Sequence, residues 1–206
     1  MNKFFWGVVA VMALAIGVIS FKAITKLPPL DTALYYQKPR EVKPFQLTDH
    51  HGAIFNKAHL KDKWSLIFFG YTSCPDICPT TLQNLNFIYD DLKAIAENSQ
   101  VLLVSVDPQR DVQEKLAQYI AYFNNEFIAL RAGHDVLFPF ARNMGLMYAI
   151  DGEGDDYFVD HSASLVLINP DGKISAIFKP EQAVGKVPNI DSDKLLSDYK
   201  KIVELY

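Results

Sequence analysis

Unbroken apolar runs alternate along this chain with segments whose apolar residues recur every three or four positions. The first run, "FFWGVVAVMALAIGVISF" from Phe4 to Phe21, holds 18 residues without a charge. A helix rises about 1.5 Å per residue, so about 18–20 apolar residues span a bilayer core. A cleaved signal peptide fits less well. The run exceeds an h-region of roughly 7–15 residues, and no A-x-A site follows in "ISFKAITK". Residues 1–26 are expected to be an uncleaved transmembrane anchor. With no cysteine near the end of the run, lipid modification is not expected. Residues 27–43 contain three prolines and little periodicity, and read as a linker leading to a domain over 44–206.

In that domain, "PFQLTDHHGAIFN" (44–56) predicts two short strands around a turn at His51-Gly52. "WSLIFFGYT" (64–72) lacks polar alternation after Ser65 and predicts a central strand buried on both faces. Pro79 suits the first turn of a helix, and Leu82, Leu85, Ile88, Leu92, Ile95 and Ala96 continue it for about five turns. "VLLVSVDP" (101–108) predicts a second buried strand, stopped by Asp107-Pro108. A helix over 111–124 carries Leu116, Ile120 and Phe123 on one face, and "FIAL" (127–130) is a short strand. Residues 136–148 look helical despite Pro139, with Gly145 near the end. "SLVLINPDGKISAIF" (164–178) predicts a hairpin turning at Asn169-Pro170-Asp171-Gly172, and 191–206 a closing helix with an Asp or Ser cap. Helices separating buried strands imply an α/β fold: a central mixed sheet flanked by helices, with an N-terminal hairpin, preceded by one transmembrane helix.

Charge narrows the partners. The net charge is −4, and Lys3, Lys22 and Lys26 give residues 1–26 a charge of +3, leaving −7 for the remainder. An acidic body gives no support for nucleic-acid binding. Lysines stand on both sides of the apolar run, so the positive-inside rule barely decides its orientation. With a start three residues from the run, a long transit peptide is not expected. A bacterial inner-membrane protein with its body in the periplasm is the expectation.

Both cysteines, Cys74 and Cys78, lie in "GYTSCPDICPTTLQNL" (70–85), where the first central strand meets a helix. Each precedes a proline, which disfavours helical backbone there. "CPDIC" therefore reads as a curled loop, with Cys78 at the cap and the helix starting at Pro79. Unpaired N–H groups and the helix dipole bias nearby sulfurs toward thiolate. Thiolate serves disulfide exchange and metal binding alike. An inert disulfide across so short a loop would constrain the unfolded chain little. A thioredoxin-like redox pair suits the architecture, but its usual spacing is C-x-x-C. Such enzymes also resemble one another in a proline before the strand "SLVLINPDG", where this chain has His161-Ser162-Ala163-Ser164. Two thiolates and an imidazole instead suit copper, Cu(I) or Cu(II), whereas structural zinc normally takes four protein ligands. Chemistry in open α/β sheets collects at the carboxyl ends of strands. His161 reaches that edge if the last hairpin is antiparallel to the central strands.

"TSCPDICPTTL", "SVDPQRD" and "VDHSASLVLINPDG", in this order, resemble the signatures of the Sco/SenC family. The resemblance covers residues 44 to 204 and the anchor. It implies a membrane-anchored, thioredoxin-like copper protein that serves assembly of cytochrome c oxidase. The family's copper ligands map onto Cys74, Cys78 and His161, for one copper ion. The implied role is delivery of copper, or of reducing equivalents, to the Cu(A) site, without classical catalytic turnover. The partner would be oxidase subunit II or another copper or thiol protein. A membrane-anchored thiol–disulfide oxidoreductase, with Cys74 and Cys78 as its redox disulfide, is the alternative.

Other polar residues have plainer readings. His50 and His51 read as solvated turn residues, and His59 and His134 as surface or capping residues. Asp107 and Asp160 are candidates for outer groups that orient the imidazole or tune copper affinity; for Asp107 a strand-end cap is an equal reading. Asp76 is expected to be exposed in the cysteine loop. "DGEGDDYFVD" (151–160) reads as a solvated acidic loop, or as a mobile flap that meets a basic partner.

Overall fold

A computed structural model describes residues 3–24, 29–153, 156–181, 185 and 187–206. The apolar run lies in helix α1 (Lys3–Ile24). Its side chains are described for 6–9 and 11–17 and are nearly all exposed. Among residues so described, no helix is long and apolar enough to cross a membrane. The anchor expectation therefore rests on the sequence.

The domain is one eight-stranded sheet with helices packed on it. Its strands are β1 (Ala33–Glu41), β2 (Gln46–Asp49), β3 (Ile54–Asn56), β4 (Trp64–Gly70), β5 (Ser99–Ser105) and β6 (Ile128–Arg131), then β9 (Leu165–Ile168) and β10 (Lys173–Phe178). The spatial order is β1-β10-β9-β4-β5-β6-β2-β3. β4 and β5 are buried along their whole length and run parallel, which suits their apolar stretches Leu66–Phe69 and Val101–Val104. β9 pairs antiparallel with β4 and opposes Leu165 to Phe68, so it starts at the edge where β4 ends. The expected hairpin turn at Asn169–Gly172 joins β9 to β10, with Gly172 at φ 72°.

The helices are α2 (Ile77–Phe87), α3 (Tyr89–Ile95), α4 (Gln113–Phe123), α5 (His134–Met144) and α6 (Ser192–Leu205). α4 buries Leu116, Ile120 and Phe123, the face that its periodicity marks. α5 contains Pro139 and ends on Gly145 at φ 85°, a left-handed cap that glycine adopts without strain. α6 is capped by Asp191, whose side chain accepts from the Lys194 N–H. Within α6, the buried Asp198 carboxylate accepts from the N–H groups of Asp31, Thr32 and Ala33 and from the Thr32 hydroxyl. The start of β1 is thereby pinned to the closing helix.

Four sequence expectations change. Residues 33–41, read as linker, form an edge strand on β10, and its register shifts between Tyr35 and Arg40. Pro39 falls inside that irregularity, where a missing N–H costs no ladder bond; the proline that suggested a linker marks a bulge. The expected five-turn helix is two helices, α2 and α3, hinged at Ile88 (φ −102°, ψ 7°). Its apolar period survives because Leu85, Ile88 and Leu92 stay buried. α2 begins at Ile77, not Pro79, which places Cys78 in its first turn. N–H groups there lack helical partners, so Pro79 removes nothing the helix needs. Of the acidic segment, residues 151–153 and 156–160 belong to a two-stranded sheet of β7 (Tyr148–Glu153) and β8 (Asp156–His161).

Candidate metal centre

Cys74 and Cys78 come from the turn after β4 and the start of α2, and His161 is the last residue of β8. Their ligand atoms all lie within 4.8 Å of one another. His161 Nε2 is 3.4 Å from Cys78 Sγ. Three donors bound to one ion at about 2.0–2.3 Å stand up to about 4 Å apart, so a small closure accommodates an ion. Both cysteines are free thiols, Cys78 buried and Cys74 partly exposed. The inert-disulfide reading is not what the structure holds.

The pair is electrostatically asymmetric. The Cys78 thiol donating to Cys74, helped by His161 and by the N–H groups of Cys78 and Asp76, outweighs burial and brings Cys74 down to about 4. Burial pushes Cys78 far up, and negative charge on Cys74 adds to this. Cys74 is the resident thiolate and Cys78 holds its proton. His161 Nδ1 lies 3.3 Å from the Ser162 carbonyl. The ring thus turns Nδ1 toward that carbonyl and Nε2 toward the sulfurs.

The surroundings are closely fitted. A Cβ on Gly70, the last residue of β4, would stand 2.8 Å from Cys78 Sγ, so this glycine makes room for the sulfur. The Tyr71 N–H donates to Cys78 Sγ at 3.4 Å. The His161 ring meets the edges of Phe68 at 5.8 Å and Tyr71 at 5.7 Å. Asp111, fully buried, accepts from the Thr72 N–H (3.0 Å), the Thr72 hydroxyl (2.5 Å) and the Ser105 hydroxyl (2.6 Å). It ties the cysteine turn to the end of β5. Sequence reading took Asp111 as the start of a helix; its place in "SVDPQRD" was the available signal.

Neither candidate outer group hydrogen-bonds the imidazole among the described contacts. Asp107 is buried and binds Arg110 Nε (2.5 Å) and the Tyr157 hydroxyl. Asp160 is exposed, opposite Ala149 across the hairpin, and lines a shallow groove beside His161 with Met147, Tyr148 and Ser162. Asp76 is exposed, as expected. The other histidines lie outside the site. His50 is buried rather than solvated, because its Nδ1 accepts the Ala129 N–H, and burial with the adjacent His51 lowers its pKa. His51 is exposed. His59 completes a capping box with Asn56. His134 opens α5 and meets the Tyr148 hydroxyl at 2.8 Å.

A mixed sheet flanked by helices, with two thiols after its central strand and a histidine before the strand antiparallel to it, defines a thioredoxin-like domain carrying a soft-metal donor set. The chain belongs to the SCO1/SenC family, which it matches over residues 34–190. It is 37% identical over 150 residues to a putative copper-binding protein of Stutzerimonas stutzeri, covering 70% of this chain and 73% of that relative. The copper-bound ScoI of Arabidopsis thaliana has a similar structure, with a TM-score of 0.71, 28% identity, and coverage of 80% of this chain and 98% of that one. BsSco, described as a member of the Sco family of cytochrome c oxidase assembly proteins, aligns with a TM-score of 0.62 and 25% identity over 86% of this chain and 99% of its own.

Proposed function

We infer that this protein carries one copper ion on Cys74, Cys78 and His161 and delivers it to the Cu(A) site of a cytochrome c oxidase during assembly. The convergence of the three donor atoms within 4.8 Å supports this most directly. Two thiolates and one imidazole bind Cu(I) at net charge −1 and Cu(II) at net charge 0, so both states are held. Copper is cargo in this role, and no catalytic turnover is involved. The partly exposed Cys74 gives an acceptor's thiolates a first point of attack on the ion, while Cys78 and His161 hold it from within.

The asymmetric thiols favour a second activity at the same site. A partner disulfide attacked by the Cys74 thiolate gives a mixed disulfide and releases one partner thiolate. Cys78, once deprotonated, displaces the second, leaving Cys74–Cys78 oxidised and the partner reduced by two electrons. The uncharged 18-residue run supports a single-pass anchor in a bacterial inner membrane with the domain in the periplasm. Resistance to alkaline carbonate extraction would bear this out, and release into the soluble fraction would refute it.

Copper loading of the full chain in detergent decides the main role. One copper per chain with two sulfur ligands is expected, binding at least tenfold more weakly in His161→Ala. Unchanged copper affinity in His161→Ala, with strong dithiol activity, would leave only the redox reading.

A further inference from the structure

The histidine stands on the two-stranded sheet and the cysteines on the turn and helix that follow β4 of the main sheet, so something must hold the two parts in register. Tyr157 lies on β8, four residues before His161. Its hydroxyl donates to the buried Asp107 carboxylate in the turn after β5. Arg110, one turn on, donates from Nε to Asp107 at 2.5 Å and from its Nη1 to the Tyr157 main-chain carbonyl at 2.9 Å. Its guanidinium carbon lies 3.8 Å from the centre of the Tyr157 ring and 5.8 Å from that of Tyr71. Tyr71 in turn abuts the His161 imidazole. Two routes thus run from Arg110 to His161, one along β8 and one through Tyr71. The buried carboxylate has its charge balanced only by this arginine among the described ion pairs. Removing Arg110 leaves the buried Asp107 carboxylate without its ion-pair partner.

We propose that Asp107, Arg110 and Tyr157 form a latch that clamps the β7–β8 hairpin to the main sheet and so positions His161 against Cys74 and Cys78. None of the three touches the metal; they are positioning residues whose effect on copper passes through the histidine. This rests on His161 being a ligand. It gives Asp107 a role other than a direct bond to the imidazole, and it gives the D-P-x-R spacing of "SVDPQRD" a physical purpose.

The test is a double-mutant cycle on the full chain, with Cu(I) affinity read by chelator competition and Cu(II) coordination by electron paramagnetic resonance. Tyr157→Phe keeps the ring and removes only the hydroxyl. It is expected to weaken Cu(I) binding about tenfold, equivalent to about 1.4 kcal/mol, and to reduce the imidazole nitrogen coupling in the Cu(II) spectrum. In the His161→Ala background the same change should move affinity less than about twofold, because the element it positions no longer contributes. Arg110→Lys, which keeps charge but loses the fork, should repeat the pattern. Equal losses in both backgrounds would indicate a general structural role and overturn the latch, as would no loss in either. If His161→Ala itself leaves copper binding intact, the ligand reading fails first, and the unaltered starting affinity identifies that case.

Discussion

Titrating the metal-free protein from about pH 3 to about pH 9 should separate its two thiols. An ordinary cysteine, with a pKa of about 8.5, is about 0.3% thiolate at about pH 6. Cys74, held at about 4, is almost wholly ionised there, a gain of about 300-fold in the reactive form. Nucleophilicity falls with basicity at a slope of about 0.45, which removes about 100-fold over the same interval. The net advantage over a free thiol is only about threefold, so absolute rate is a poor diagnostic and the pH profile a good one. Alkylation of Cys74 by iodoacetamide, located by mass spectrometry, should rise with a midpoint near 4 and then stay flat to neutrality, while buried Cys78 resists. The pair titrates in two macroscopic steps, and ultraviolet thiolate absorbance should show one thiolate per chain at neutral pH. Cys78→Ala removes the main hydrogen-bond donor to Cys74 and should move the midpoint upward. At neutral pH, copper then displaces one proton from the two thiols rather than two. A Cys74 alkylation midpoint near the ordinary cysteine value would refute this asymmetry.

Three further outcomes follow from the packing around the site. Gly70→Ala pushes a methyl against Cys78 Sγ; urea unfolding should show a loss of about 1–3 kcal/mol, and copper affinity should fall with it. Asp111→Ala removes the acceptor for three donors; a loss of about 2–3 kcal/mol is expected, with faster hydrogen exchange at Thr72. Asp198→Ala should cost on the order of 3 kcal/mol and free residues 31–33, seen as faster exchange of those amides. Burial pushes the Asp198 carboxyl up, but the N–H groups of Thr32, Asp31 and Ala33 outweigh it and its pKa is lowered. Its contribution is therefore full above about pH 4. It fades as the pH falls through the lower folded value, and acid unfolding of Asp198→Asn should lack this component.

How far the sequence revealed the fold depended on whether a local signal survived tertiary context. β4 and β5 were legible because strands buried on both faces leave a central run, Leu66–Phe69 and Val101–Val104, with no polar interruption. β1 was not, since an edge strand tolerates Pro39 and keeps polar residues, which locally look the same as a linker. The β7–β8 hairpin carries Asp151, Gly152 and Asp160 on exposed positions, so charge masked its pairing. The three donor residues were reachable by combining strand order with an unusual residue before β9. The groups behind them were not. Asp107 reads from sequence as an outer group or a strand-end cap, and Arg110 and Tyr157 carry no signal, because Tyr157 lies 47 to 50 residues from the other two in the chain.

The strand register also fixes where the N-terminal tether arrives. Ala33 opposes Phe178, which opposes Leu165, which opposes Phe68, so the chain enters the sheet on the edge that carries the cysteines and the histidine. Asp198 holds that point of arrival. Between the end of α1 at Ile24 and Ala33 the backbone can extend to about 30 Å at most. A membrane holding the first helix, as proposed, would therefore lie within about 30 Å of the metal-bearing edge. An acceptor in that membrane would then face the donor atoms across that reach, without the domain turning over.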